Sequence, residues 1–214
     1  AHLEGFGNYE NIVKAKGEII SALGSEGVAV LNADDPAFDQ WHALAAGRKT
    51  RTFSLKEDTK AAVWAESISV QSTGSDFDLC TAEERLPISL PLPGKHNIAN
   101  ALAAASAANV LGVDWKSIQK TLCDLKSIKG RLEQTQSDNG YTVINDTYNA
   151  NPASTKAALD VLATAKGLRV AVLGEMGELG EDSAELHLQV GQYAKEGRAD
   201  ALYAFGEHAK DCVK

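Results

Sequence analysis

The chain has 214 residues, 44% of them hydrophobic and 23% charged, which excludes a disordered polymer and leaves room for one large or two small cores. A formal net charge of -8 excludes a surface built to neutralise nucleic acid or an anionic membrane. Any phosphate must therefore be gripped locally, by backbone amides, a few Lys or Arg, or a metal.

Cys80, Cys123 and Cys212 are widely separated and form no C-x-x-C pair, so neither a disulfide framework nor a zinc cluster is expected, and the cytoplasm fits best. No stretch is long and apolar enough to span a bilayer. The chain opens at Ala1-His2-Leu3-Glu4 without Met or a signal-like segment, and stops at Asp211-Cys212-Val213-Lys214 in what reads as a fresh helix. It is expected to be a fragment.

In chain order, Ile12, Val13, Ile19, Ile20 and Leu23 recur at helical spacing over Asn8 to Leu23, with Gly24 placed to cap the end. Gly27 to Leu31 has the composition of a buried strand. Asn32-Ala33-Asp34-Asp35-Pro36 then supplies cap residues, with Pro at the first helical position, for a helix running toward Ala46. Thr50 to Leu55, Ala62 to Val70, Phe77 to Thr81 and Leu86 to Leu90 are short β-rich runs that predict an antiparallel meander. Pro93-Gly94 leads into an alanine-rich helix ending near Leu111-Gly112, Asp114 to Leu125 predicts another helix, and Lys126 to Gly130 reads as a linker. Residues 1–129 and 130–214 are therefore expected to be separate domains.

Beyond the linker, Arg131 to Gln136 and Tyr141 to Asp146 flank Asn139-Gly140, a hairpin signal. Helix Pro152 to Ala165, strand Leu168 to Leu173, helix Ser183 to Lys195 and strand Ala201 to Phe205 then alternate. Such alternation implies parallel pairing and a three-layer α/β arrangement with right-handed crossovers.

Several groups of residues could carry chemistry. His96, Asn97 and Asn100 put polar side chains on the first turns of a helix, where unpaired N–H groups favour an anionic or polar partner; a simple cap is the plainer reading of that segment alone. His2 stands upstream of Lys14 and Lys16, which fall on different sides of a helix, so only one of them can be buried. A lysine amine that reacted with carbon dioxide would become a carbamate able to share a hard cation with His2. Asn32-x-Asp34-Asp35 follows a buried strand and is most simply a capped helix start. Gly130-Arg131 and Asn145-Asp146-Thr147-Tyr148-Asn149-Ala150-Asn151-Pro152 carry more Asn and Asp than turn chemistry requires; an arginine there could reach a γ-phosphate, and a carboxylate at a strand end could accept ribose hydroxyls. Leu173-Gly174-Glu175-Met176-Gly177-Glu178-Leu179-Gly180 does not meet the G-x-G-x-x-G fingerprint, its acids would repel a pyrophosphate, and no G-x-x-x-x-G-K-[ST] is present.

In this order, Ala1-His2-Leu3-Glu4, Lys14-Ala15-Lys16-Gly17-Glu18, Asn32-Ala33-Asp34-Asp35, Gly94-Lys95-His96-Asn97-Ile98-Ala99-Asn100-Ala101, Gly130-Arg131 and Asp146 to Pro152 resemble the Mur ligases over essentially the whole chain. The Lys-Ala-Lys-Gly-Glu segment and the Tyr-Asn-Ala-Asn-Pro and Gly-Glu-Met-Gly-Glu-Leu-Gly loops resemble the member that joins D-alanyl-D-alanine to a UDP-N-acetylmuramoyl-tripeptide. The resemblance implies the later part of a central ATPase domain, with a mixed sheet, helices and a β meander. An incomplete Rossmann-like, three-layer α/β C-terminal domain would follow. It also implies an ATP- and Mg2+-dependent, monomeric, cytoplasmic ligase of peptidoglycan synthesis that works through an acyl phosphate.

Carried over residue by residue, Lys16 matches the lysine that becomes carbamylated and His2 the histidine sharing its magnesium ion. Asn97 and Asn100, with His96 beside them, match the adenine side of the ATP site. Arg131 matches the γ-phosphate arginine and Asp146 the ribose-binding acid. Asn149, Asn151 and Ser154 are placed near the reacting centre, where they would bind substrate, or at the interdomain hinge. Tyr148 stands where some Mur ligases carry a phosphate-contacting lysine, so that role does not transfer. The family's phosphate loop and UDP-binding domain lie upstream of His2, so this fragment is expected to be inactive alone. Two other readings stand beside this one: another ligase of the superfamily, such as a folylpolyglutamate or cyanophycin synthetase, and a non-catalytic nucleotide-binding module.

Overall fold

The computed structural model describes residues 3–57, 60–126 and 128–214. A short helix α1 (Leu3–Phe6) precedes α2 (Tyr9–Ser21), which starts where Asn8 accepts the Asn11 N–H at 2.9 Å and ends on Ala22, before the Gly24 expected to cap it. Ile12, Val13, Gly17 and Ile20 form its buried face. A Cβ on Gly17 would lie 2.6 Å from Leu44 Cδ1, so the glycine sets how closely α2 meets α3 (Phe38–Leu44).

Strand β1 (Val28–Asn32) pairs in parallel with β2 (Lys49–Ser54), with α3 as the crossover. The helix after β1 begins two residues beyond Pro36, with Ala37 as its cap. The acidic turn is not its N-cap. Asn32 accepts the Asp34 N–H and Asp35 the Ala37 N–H, while the Asp34 carboxylate reaches across to take the Ser54 hydroxyl at 2.9 Å and the Leu55 N–H at 2.7 Å. Asp34 thus fastens the end of β2 to the end of β1, leaving the constellation structural.

β3 (Val63–Val70), β4 (Ser75–Cys80) and β5 (Arg85–Leu90) form the expected antiparallel meander, but β2 does not belong to it. It pairs with β3 in parallel, and only through Phe53↔Val63 and Ser54↔Trp64. The chain leaves β2 and resumes in the same direction one strand over, so the run of β-rich segments crosses from parallel to antiparallel pairing. The sheet order is β1-β2-β3-β4-β5.

The helix α4 (Lys95–Val110) lies on this sheet through Ile98, Ala101, Leu102, Ala105 and Ser106, the spacing of one helical face. Together with Val63, Leu79, Ile88, Leu90 and, from α5 (Trp115–Cys123), Ile118 and Leu122, they form the larger core. Each such side chain, fully withdrawn from water, contributes about 1.5–3 kcal/mol.

A hairpin of β6 (Glu133–Gln136) and β7 (Thr142–Asn145) follows the linker, closed by Ser137 to Gly140 with Gly140 at φ 82. Then come α6 (Pro152–Ala163), β8 (Val170–Leu173), a 3-10 turn at Gly180–Asp182, α7 (Ser183–Lys195), β9 (Ala201–Ala204) and α8 (Ala209–Cys212). β8 and β9 are parallel, and α6 and α7 close one face of the pair over a second core of Leu159, Ala171, Met176, Leu179, Val190 and Ala194. On the other face Val172 and Tyr203 are 64% and 63% exposed. Among the described residues no helix is long and apolar enough to cross a membrane.

Candidate functional site where α4 meets the hairpin

The start of α4 is made by Gly94, whose φ 98 and ψ 143 suit only a residue without Cβ and which supplies no side-chain cap. The turn is held instead by Asn97, which donates its Nδ2 to the Pro93 carbonyl at 2.8 Å. His96 folds back over the glycine: a Cβ on Gly94 would lie 2.6 Å from its Cε1, and 3.2 Å from Val161 of α6. The head of α4 therefore sits against α6, with Lys95, His96 and Asn100 on its exposed side.

The hairpin brings the second set of groups. Counted back from Ser137 and Tyr141, its register places Leu132 opposite Asp146 and Gly130 opposite Tyr148, and both pairings are seen: Leu132 donates its N–H to Asp146 Oδ1 at 3.1 Å and Tyr148 its N–H to the Gly130 carbonyl at 3.0 Å. Gly130 is buried at φ 73, where a Cβ would meet the Tyr148 nitrogen at 3.3 Å. Leu132, a bulky residue, is held at φ 52. Such left-handed backbone costs of order 1–3 kcal/mol and persists only where its surroundings enforce it. Here it turns the Leu132 N–H toward the half-buried carboxylate. The exposed Arg131 guanidinium lies 4.1 Å from the centroid of the Tyr148 ring, a cation–π contact that stiffens an otherwise mobile side chain.

Charge ties the two sets together. Crowding by surrounding atoms raises the Asp146 pKa, against the Leu132 N–H and the positive charge of His96 and Arg131, which lower it. The same crowding lowers the His96 pKa, while Asp146 acts to raise it. A carboxylate whose second oxygen is free, a planar cation and the His96 ring of the helix head thus share one junction, a set of groups able to meet hydroxyls and a phosphate. Gln134 adds a tie between the hairpin and the β3–β4 turn by donating to the Ser72 carbonyl.

The remaining expected residues divide. Asn151 is the N-cap of α6: it accepts the Ser154 N–H at 3.0 Å while Ser154 Oγ accepts the Asn151 N–H at 3.0 Å, so both side chains are engaged in a capping box. Asn149 is exposed and accepts the Ala150 N–H. Lys14 and Lys16 are both exposed on α2; the helix buries its Ile12–Gly17–Ile20 face and both lysines fall outside it. His2 lies outside the described residues. Among the described residues no group of three or more His, Cys, Asp or Glu side chains is placed to hold a metal.

The acids of the Gly174–Gly180 loop also differ in role from a repulsive fringe. Glu175 accepts the Glu207 N–H at 3.0 Å and packs against Gly206, tying together the loops after β8 and β9. Two features went unanticipated: the ring of Tyr148 beneath Arg131 and the left-handed Leu132. The hairpin register was available from the Asn-Gly turn and would have found the first, since it sets the Gly130-Arg131 segment beside Tyr148.

Residues 1–108 match the Mur ligase middle domain and residues 130–213 match the Mur ligase glutamate ligase domain. The chain belongs to the Mur ligase family. Among its relatives, the UDP-N-acetylmuramoyl-tripeptide–D-alanyl-D-alanine ligase of Escherichia coli (strain K12) is 41% identical over 98% of this chain and 46% of its own. The enzyme of that name from Haemophilus influenzae is 36% identical over 98% of this chain and 45% of its own. The crystal structure of MurF from Acinetobacter baumannii superposes with a TM-score of 0.93 at 34% identity, over 100% of this chain and 46% of that one. MurF ligase from Thermotoga maritima, solved in complex with ADP, gives 0.85 at 27% identity over 99% and 48%. The chain spans about half the length of the relatives it matches.

Proposed function

We propose that the chain is part of an ATP-dependent ligase that joins D-alanyl-D-alanine to a UDP-N-acetylmuramoyl-tripeptide in the cytoplasm, with residues 1–129 supplying the later part of the ATP-binding domain and 130–214 most of the C-terminal domain. The observation that carries this reading is His96, at the head of α4, within electrostatic reach of Asp146, which the hairpin holds on the Leu132 N–H beside Arg131. Its support beyond the site is the name shared by the most similar relatives.

In the proposed reaction a carboxylate oxygen of the tripeptide bonds to the γ-phosphorus as the bond to ADP breaks. The dipeptide amine then bonds to the acyl carbon, loses a proton, and phosphate leaves. Asn100 and His96 flank the adenine, with Asn97 behind them as the residue that holds the turn. Asp146 accepts ribose hydroxyls through its free oxygen, and Arg131, steadied by Tyr148, offsets the charge on the γ-phosphate. Asn149, with the Asn151–Ser154 box that positions it, lies on the amine side. Mg2+ would offset phosphate charge; Lys16, as a carbamate, and His2 are its proposed holders in this segment, an assignment that rests on their place in the motif order.

The test is nucleotide affinity and turnover in the full-length ligase containing this segment. Asn100→Ala is expected to weaken ADP binding without lowering the melting temperature, and Lys16→Ala to remove most activity. Unchanged ADP affinity would return Asn100 to a solvated helix position, and retained turnover would end the carbamate assignment.

A further inference from the structure

The most buried histidine among the described residues lies away from the nucleotide junction. His187, on α7, is 1% exposed, yet both ring nitrogens are satisfied by backbone: Nδ1 lies 2.7 Å from the Ser183 carbonyl and Nε2 lies 3.0 Å from the Met176 nitrogen. A carbonyl can only accept and an amide N–H can only donate, so the ring is neutral, with its proton on Nδ1 and its Nε2 lone pair directed at Met176. The ring stacks on His208 at 4.9 Å between centroids, and Cys212 donates its thiol to the His187 carbonyl. These contacts leave the imidazole no alternative placement.

What it holds is the loop after β8. Met176 is 3% exposed, and its side chain fills the core between α6 and α7 while its sulfur accepts the Thr155 hydroxyl at 3.6 Å. Thr155 stands in the first turn of α6 and donates its N–H to the carbonyl of Asn151, the N-cap. On its other side the loop is anchored by the Glu175 carboxylate to the Glu207 N–H. One continuous set of contacts therefore runs from His187 through Met176 and Thr155 to the head of α6, where Asn149 and the Asn151–Ser154 box lie.

A leucine or methionine would fill the same volume without accepting a hydrogen bond. A buried acceptor of fixed direction instead specifies the position of one amide, because an unsatisfied N–H at that depth costs about 1–3 kcal/mol. We infer that His187 is a positioning residue: through its Nε2 it places the Met176 amide, and with it the first turn of α6, in the position from which the Asn149–Asn151 loop meets the amine-bearing dipeptide. This rests on the reading of that loop as the amine side of a ligase site.

The experiment uses the full-length ligase containing this segment, with ATP and D-alanyl-D-alanine varied separately. Gln at 187 can present an oxygen near the Nε2 position, whereas Asn retains only a donor near Nδ1. His187→Asn is expected to raise the KM for the dipeptide roughly tenfold, the equivalent of one lost hydrogen bond, with the KM for ATP unchanged. His187→Gln is expected to stay close to wild type. Equal KM values in the two variants, or a rise for ATP alone, would overturn the inference, because a purely structural histidine would not separate the substrates or the variants. Absence of dipeptide-dependent turnover in the wild-type enzyme would instead overturn the proposed function. Should the Asn variant fail to fold, nitrogen-15 shifts of the wild-type imidazole decide: the Nδ1–H tautomer with a slowly exchanging Met176 amide supports the inference, and the Nε2–H tautomer ends it.

Discussion

Replacing Gly94 by Ala tests whether the turn into α4 is a built feature of the nucleotide junction. At φ 98 and ψ 143 an alanine carries backbone strain of about 1–3 kcal/mol. Its Cβ would also lie 2.6 Å from Cε1 and 2.8 Å from Nδ1 of His96, and 3.2 Å from Val161 Cγ2. The His96 ring is exposed and can swing aside, whereas Val161 is 1% exposed and can yield only by shifting α6. Strain and contact together give roughly 2–4 kcal/mol, or a fall of about 4–16 °C in melting temperature for a chain of this size. Gly112, at φ 90 with nothing within 4 Å of its would-be Cβ, is the control for strain alone. Thermal unfolding followed by circular dichroism should place Gly94→Ala below Gly112→Ala, and both below wild type. Equal losses would mean that the approach to His96 and Val161 is immaterial, and wild-type stability for Gly94→Ala would refute the left-handed turn itself.

Other consequences follow from particular contacts. Gly191→Ala drives a Cβ into the Cys212 carbonyl oxygen, so α8 should leave α7 and the buried Cys212 thiol should become reactive to a disulfide reagent; unchanged thiol labelling would contradict the packing. The Asp200 carboxylate is held down to about 2, first by its hydrogen bond from Arg169. With an unfolded value near 3.8, its contribution is present above that pH and is lost as pH falls toward 2. Asp200→Asn should therefore be less stable at neutral pH and flatter over that acid window, and parallel acid-unfolding curves would count against the pair. Finally, Tyr148→Ala in the full-length ligase should weaken binding of a non-hydrolysable ATP analogue by about 2–5-fold, the scale of an exposed cation–π contact, while Tyr148→Phe should not. Calorimetric titration giving the same affinity for both would remove the ring from the site.

Much of the junction was legible because its logic is local. The Asn-Gly turn sets the register of β6 and β7, and the register alone carries Asp146 to Leu132 and Tyr148 to Gly130. Gly94, followed by polar residues and then an Ala-rich run, announces a helix whose head is polar. Where groups interact across long separations the local signal failed. Asp34 looked like a helix cap because Asp before a helix usually is one; its actual partners, Ser54 and Leu55, are strangers in the sequence. The parallel step from β2 to β3 depends on which edge of the growing sheet is free, a property of neither strand. Lysine spacing on α2 allows at most one buried side chain, and the face that packs, Ile12, Val13, Gly17 and Ile20, includes neither.

The sequence by itself determined the alternation of strands and helices, the hairpin, the acidic charge and the order of motifs that marks a Mur ligase, because periodicity, turn chemistry and charge are properties of neighbouring residues. Only the tertiary structure decided which polar residues are free to meet a ligand. Asn97, Asn151 and Ser154 are already engaged with backbone, while Asn100 stands exposed on α4, Arg131 is exposed beside Tyr148 and Asp146 keeps one oxygen free. It also decided that His187, in sequence one histidine on a helix, is the fixed acceptor for a loop from another element. A hydrogen-bonding group spends its capacity on whatever the fold brings within about 3 Å, and that proximity is set by packing rather than by order along the chain.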